Sequence, residues 1–145
     1  MKTLSAALIA LALVWTLPAA ADAQRQYVEL PPMMREHMLG NMRDHLRALQ
    51  TITRALADGD YESAADTAEQ RLGMSSLQRH GAAHMARFMP EGMRRAGTEM
   101  HRAASRFAVA ARNAEVEGGL ARAFGALSEV MAACVACHSA YRVHR

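Results

Sequence analysis

The 145-residue chain has 17 Lys and Arg against 14 Asp and Glu, a formal charge of only +3. Its arginines are scattered among acids, with no basic stripe interleaved with aromatics, which excludes the electrostatic footprint of a nucleic-acid binder. With two cysteines in all, a four-ligand zinc ribbon lacks its second pair of thiolates.

Residues 1–23 read as an export leader. Lys2 supplies the positive start, Leu4 to Leu17 an apolar run short for a membrane span, and Ala21-Asp22-Ala23 a small-x-small cleavage site before Gln24. An uncleaved anchor is the competing reading; Pro18 and the alanine-rich site weigh against it. The mature domain is then 24–145, one core's worth of chain, expected in the periplasm and not membrane-spanning. The leader takes Lys2 and Asp22 with it, so the charge of +3 is unchanged.

The mature sequence is rich in alanine and poor in β-branched residues and in glycine or proline breaks, which predicts an all-α fold. The first helix is expected from Pro31-Pro32 to about Ala57, with Met34, Met38, Met42, His45, Leu49, Ile52 and Leu56 on its inner stripe. Asp60 is placed to cap a second helix reaching Leu72, with Gly73 beyond it. Met74 to Met89, interrupted by Ser75, Ser76 and Gly81, reads as a loop with one or two helical turns. A third helix is expected from near Pro90 to about Ala114, with Met93, Gly97, Met100, Ala104, Phe107 and Ala111 inward. After Glu117-Gly118-Gly119 a fourth helix is expected to bury Leu120, Phe124, Leu127, Met131, Cys134, His138 and Tyr141. Four amphipathic segments with short links imply an antiparallel four-helix bundle with its site in the core. Gly97 and Ala104 either leave room for a flat ligand there or serve close helix packing alone.

The chemistry-bearing stretch is Cys134-Val135-Ala136-Cys137-His138. C-x-x-C-H is the attachment signature of c-type haem: each thiol adds to a porphyrin vinyl group and the imidazole ligates the iron. On a helix, Cys134 and His138 lie about 40° apart and Cys137 about 60° to the other side, so one face carries all three. A C-x-x-C alone also fits thioredoxin-like redox sites and short disulfides, but no βαβ pattern precedes this one. A local disulfide would leave His138 without a role.

The run Cys134 to Arg142 resembles the end of the class II cytochromes c, the cytochrome c′ family. There the haem motif sits on the last helix of a four-helix bundle, followed by an aromatic and an arginine, here Tyr141 and Arg142. The resemblance implies one covalent haem c on Cys134 and Cys137, with His138 as proximal iron ligand and Arg142 near the proximal side or a propionate. It also implies dimers through the first two helices. Met38-Leu39-Gly40-Asn41 resembles the Met-x-x-Asn pattern of the low-spin branch, which makes Met38 the distal ligand, Met42 and Met34 its spares, and Arg35 a propionate neighbour. The function implied is single-electron transfer between protein partners, without bond chemistry on a substrate. The alternative is a five-coordinate relative that binds or buffers NO or CO, with Met38 only packed over the iron.

Other residues carry weaker readings. His80 and His84, four apart, suit one helical side, and surface histidines are their simplest reading. His45, on the inner stripe, is a rival distal ligand. Met85, Met89 and Met93 beside His84 fit a periplasmic copper protein or, more cheaply, adaptable core packing.

Overall fold

The structure is a computed structural model that describes residues 24–117 and 119–144; the leader assigned to residues 1–23 lies outside them. The described chain is all-α apart from one pair of two-residue strands. Its elements are β1 (Gln26–Tyr27), α1 (Pro32–Ala57), α2 (Tyr61–Arg71), α3 (Ala82–Met85), α4 (Glu91–Glu117), α5 (Gly119–Ala140) and β2 (Tyr141–Arg142). Single 3₁₀ turns at Met74–Ser76 and Ala86–Phe88 flank α3.

Each helix begins and ends where local chemistry requires it. Pro32 opens α1, its missing N–H falling where a helix has no partner to offer. The Asp60 carboxylate accepts from the Ser63 amide at 2.9 Å and caps α2. Gly73 follows α2 with extended backbone, not the left-handed turn often found after a helix. Space is what requires glycine there, because a Cβ would come within 2.8 Å of the Glu69 Cα. Between α4 and α5 the chain reverses at once, with Gly119 at φ +59°. The third predicted helix therefore runs three residues past Ala114, to Glu117.

Two apolar clusters share the helices. The larger joins Ile52 and Leu56 of α1, the alanines Ala64, Ala65 and Ala68 of α2, Phe107 of α4, and Leu127 and Val130 of α5. Alanine on the facing surfaces lets the helix axes approach closely, and Phe107 fills the centre with no exposed surface. The smaller cluster gathers Val28, Leu30, Met38, Met85, Met93 and Val143 at the end where both termini meet. At that end β1 pairs in parallel with β2, Gln26 beside Tyr141 and Tyr27 beside Arg142. The Val28 amide extends the pairing to the Arg142 carbonyl at 2.8 Å. This strand pair was not anticipated from sequence, since two residues give no periodicity to read.

The inner stripes expected for α1 and α4 are the observed ones, with Met38, His45, Ile52, Leu56, Met93, Met100, Ala104, Phe107 and Ala111 buried. For α5 the expectation is corrected. Its buried residues are Ala123, Leu127 and Val130, whereas Leu120, Phe124 and Met131 are 42%, 44% and 50% exposed; His138, also expected to be buried, is exposed, and Cys134 and Tyr141 are half-buried. The helix carries apolar residues on more than one face, and α4 packs against the face whose alanines permit the closest approach. Gly97 and Ala104 also part company: Gly97 borders open space, while Ala104 is fully buried in the larger cluster.

Phe107→Ala should lower stability in urea unfolding by roughly 3–5 kcal/mol, and Asp60→Ala by about 1 kcal/mol. Equal effects would contradict the placement of the core.

Candidate functional site

The last turns of α5 carry Cys134, Cys137 and His138 toward the junction of the two clusters. Cys134 packs at the edge of the larger cluster and Cys137 against the smaller one. Burial pushes both thiols above their ordinary pKa, and the neighbouring Cys134 raises Cys137 further. Both are therefore neutral thiols at pH 7. Cys137 and His138 border a cavity of about 300 Å³; Cys134 stands one turn back from it.

Helix α1 forms the facing wall. Met38, 8% exposed, lines the cavity with Leu39, Met42 and His45. Met85, Met89, Met93 and Met100 add further thioethers, and Gly97 leaves open space beside them. Of the expected residues, Met38, Met42, Cys137, His138 and Arg142 thus meet at one cavity. Met34 packs against the smaller cluster without reaching the cavity, and Arg35 is exposed and off its wall.

The end of α5 is held by the N-terminal strap. Arg25 donates to the His138 carbonyl at 3.3 Å, placing a cation at the negative end of the helix dipole. Arg142 lies over the Tyr27 ring at 5.4 Å and donates to the His144 carbonyl at 2.8 Å. Its Nε is buried with no hydrogen-bond partner among the described residues. Arg25, Arg94 and Arg142 all border the cavity, giving it a cationic rim. Gly92 lets the Tyr141 hydroxyl sit against α4, where a Cβ would collide with it.

Three imidazoles of the cavity lining stand together. His45 and His80 have ring centroids 4.8 Å apart, His80 and His101 5.4 Å, and His45 and His101 6.1 Å. A carbonyl only accepts, so His101 Nδ1 carries the proton it donates to the Leu72 carbonyl at 2.6 Å. Ser76 gives its own proton to the Gly73 carbonyl at 2.7 Å, and so accepts from His80 Nδ1 at 3.3 Å. This leaves His80 Nε2 with a bare lone pair, buried and unpartnered among the described residues, as is His45 Nε2. Burial first, and then the neighbouring histidines, push His45 and His80 down to about 4; burial also lowers His101. Among the described residues no group of three His, Cys, Asp or Glu side chains is arranged to hold a metal ion.

The surface reading of His80 is corrected: it is 5% exposed. Gly81, at φ +61°, separates it from α3, so His80 turns inward while His84 is exposed beside Phe88. His84 is also absent from the cavity that Met85, Met89 and Met93 line. His37 Nε2 and Asn41 Nδ2 of α1 both donate to the His80 carbonyl, at 2.9 and 3.1 Å, so Asn41 holds the loop that delivers His80. His101 was missed although it shares a stripe with Gly97 and Ala104 at spacings of four and three. His80, Arg25 and Arg94 had no such signal, because irregular chain or tertiary approach brings them here.

No family model, curated protein or solved structure matches this chain.

The histidine cluster predicts an acid-sensitive fold. The unfolded chain keeps these imidazoles near about 6.5, so between about pH 6.5 and 4 it binds protons that the folded protein excludes. Stability is full above that window and falls as pH drops through it, by up to about 1.4 kcal/mol per pH unit for each histidine. Urea unfolding from pH 7 to 4 should show this fall, with a shallower slope in His80→Gln; a flat profile would contradict it.

Proposed function

We propose that the chain is a periplasmic class II c-type cytochrome, a single-electron carrier with one haem c in an antiparallel four-helix bundle. The haem would be held covalently by Cys134 and Cys137, with His138 as proximal and Met38 as distal iron ligand. The observation that carries this reading is that Cys137 and His138 of the C-x-x-C-H run border the same cavity as Met38, 99 and 100 positions earlier in the sequence.

The surroundings suit such a group. Six methionines line the cavity, and their unbranched and polarisable side chains adapt to a flat macrocycle. Gly97 leaves the space that a larger residue would fill. Two propionates need cations, and Arg25, Arg94 and the half-satisfied Arg142 border the cavity. Arg25 and Arg94 replace Arg35 in that role, since Arg35 faces water.

When bound, the haem supplies a one-electron iron couple. The chain supplies rigidity and a chosen environment. His138 is fixed by the helix behind it and by Arg25 on its carbonyl, and Met38 by its burial among Val28, Leu30 and Met93. Ligands that cannot move keep the reorganisation small when the iron charge changes. A neutral thioether in an apolar wall favours the ferrous state. The bound group would leave no bond-making chemistry to the surrounding side chains.

A second reading, binding of NO or CO at an open distal position, draws support from the unpartnered His45 and His80 Nε2 atoms on the cavity side. Visible spectra of the haem-loaded protein separate the two. The carrier reading predicts low-spin bands, a far-red methionine-to-iron band that Met38→Ala abolishes, and little change with CO. High-spin bands with ready CO binding would overturn Met38 ligation in favour of the gas binder.

A further inference from the structure

Residues 77–89 form one wall of the cavity with little to fasten them. Leu77, His80, Ala82, Met85, Ala86 and Met89 all line it. Yet in this stretch only His80 and Met85 are buried, and its helical pieces are single turns, Ala82–Met85 and Ala86–Phe88. A single turn has little stability of its own, and a segment with few buried side chains opens at a lower free energy than the core it rests on. Two side chains therefore carry most of the attachment.

The two are chemically unlike. Met85 packs in the smaller apolar cluster with Met38 and Met93, and its hold is indifferent to pH. His80 is inserted beside His45 of α1 and His101 of α4, its ring centroid 4.8 and 5.4 Å from theirs. Its carbonyl accepts from His37 Nε2 and Asn41 Nδ2 of α1, so the ring and backbone of one residue tie the segment to two helices. The groups facing the ring are set against a proton. His101 of α4, His37 of α1 and Arg79 on the segment itself oppose positive charge there; Asp44 of α1 favours it, but is engaged by Arg71 of α2. Charge on His45 and charge on His80 also oppose each other. A protonated His80 finds its best partner in water, and reaching water requires the chain at residue 80 to lift.

We propose that residues 77–89 are an acid-released flap over the cavity, latched by Met85 and by insertion of the His80 ring beside His45 and His101. The flap lifts before the long helices part, because the buried residues of the larger cluster include no titratable side chain. The cavity then exchanges its contents with solvent in acid and keeps them at neutral pH. This local opening is distinct from the fold-wide acid sensitivity derived above, and it does not depend on the haem reading.

The test is hydrogen–deuterium exchange of the exported, processed chain at pH 7 and pH 5, resolved by peptide and corrected for the intrinsic effect of pH on exchange. The His80 imidazole is held down to about 4 in the latched state and returns to about 6.5 when released. The latched state is therefore fully favoured above that window and loses ground as pH falls through it, so opening becomes about twentyfold more frequent at pH 5 than at pH 7 from this residue alone. Peptides within 77–89 should lose protection by about this factor, while those around Phe107 of α4 keep theirs. His80→Gln should flatten the pH dependence in 77–89. Met85→Ala should raise opening by the same factor at both pH values, which separates the titrating latch from packing alone. Joint loss of protection in 77–89 and around Phe107, no loss in 77–89, or an undiminished pH dependence in His80→Gln would each overturn the proposal.

Discussion

The structure depends on how the last two turns of α5 are held. A helix end frays unless something holds it, because its final carbonyls lack partners within the helix. Here three contacts hold it at once. The alanine-bearing face of α5 lies on α4, Arg25 occupies the His138 carbonyl, and β2 continues straight from the helix into pairing with β1. Cys137 and His138 are thereby fixed against a wall contributed by α1, a far earlier part of the chain. Methionines line the space between these two surfaces, and Gly97 adds no side chain to fill it.

Arg25, Arg94 and Arg142 and the three clustered imidazoles all line the cavity, among six methionines. Both sets are held by backbone groups. The imidazoles depend on the Leu72 and Gly73 carbonyls and on Ser76, the strap on the Arg142 carbonyl. An exchange of one residue in either set therefore acts through the loop or strand that carries it. The partly buried Arg71–Asp44 pair, which keeps the Asp44 carboxyl below its ordinary range, ties α1 to α2 behind the histidine cluster.

Much of the fold was legible because most of its information is local. Proline at the start of α1, aspartate before α2 and regular apolar spacing in α1 and α4 each act within a turn or two of chain, and each produced the expected element. The α5 stripe was misread for a physical reason: two apolar faces competed, and the choice between them was made by the shape of α4, which spacing within α5 does not contain. At the site, the C-x-x-C-H run and Met38 were visible as residue types on predicted faces. His80 was not, because Gly81 reorients the chain just where a helix pattern suggested a surface pair. Arg25 was hidden for a related reason, since its importance comes from a strand pairing between the two ends of the domain.

The covalent link is the claim on which the functional account rests, and intact mass tests it most directly. The exported chain, produced in a host that attaches c-type haem and analysed under denaturing conditions, should show the processed polypeptide plus one haem, with the addition lost when Cys134 and Cys137 are both replaced by serine. A processed polypeptide without the added group would contradict the account and leave an all-α protein with a methionine-lined cavity.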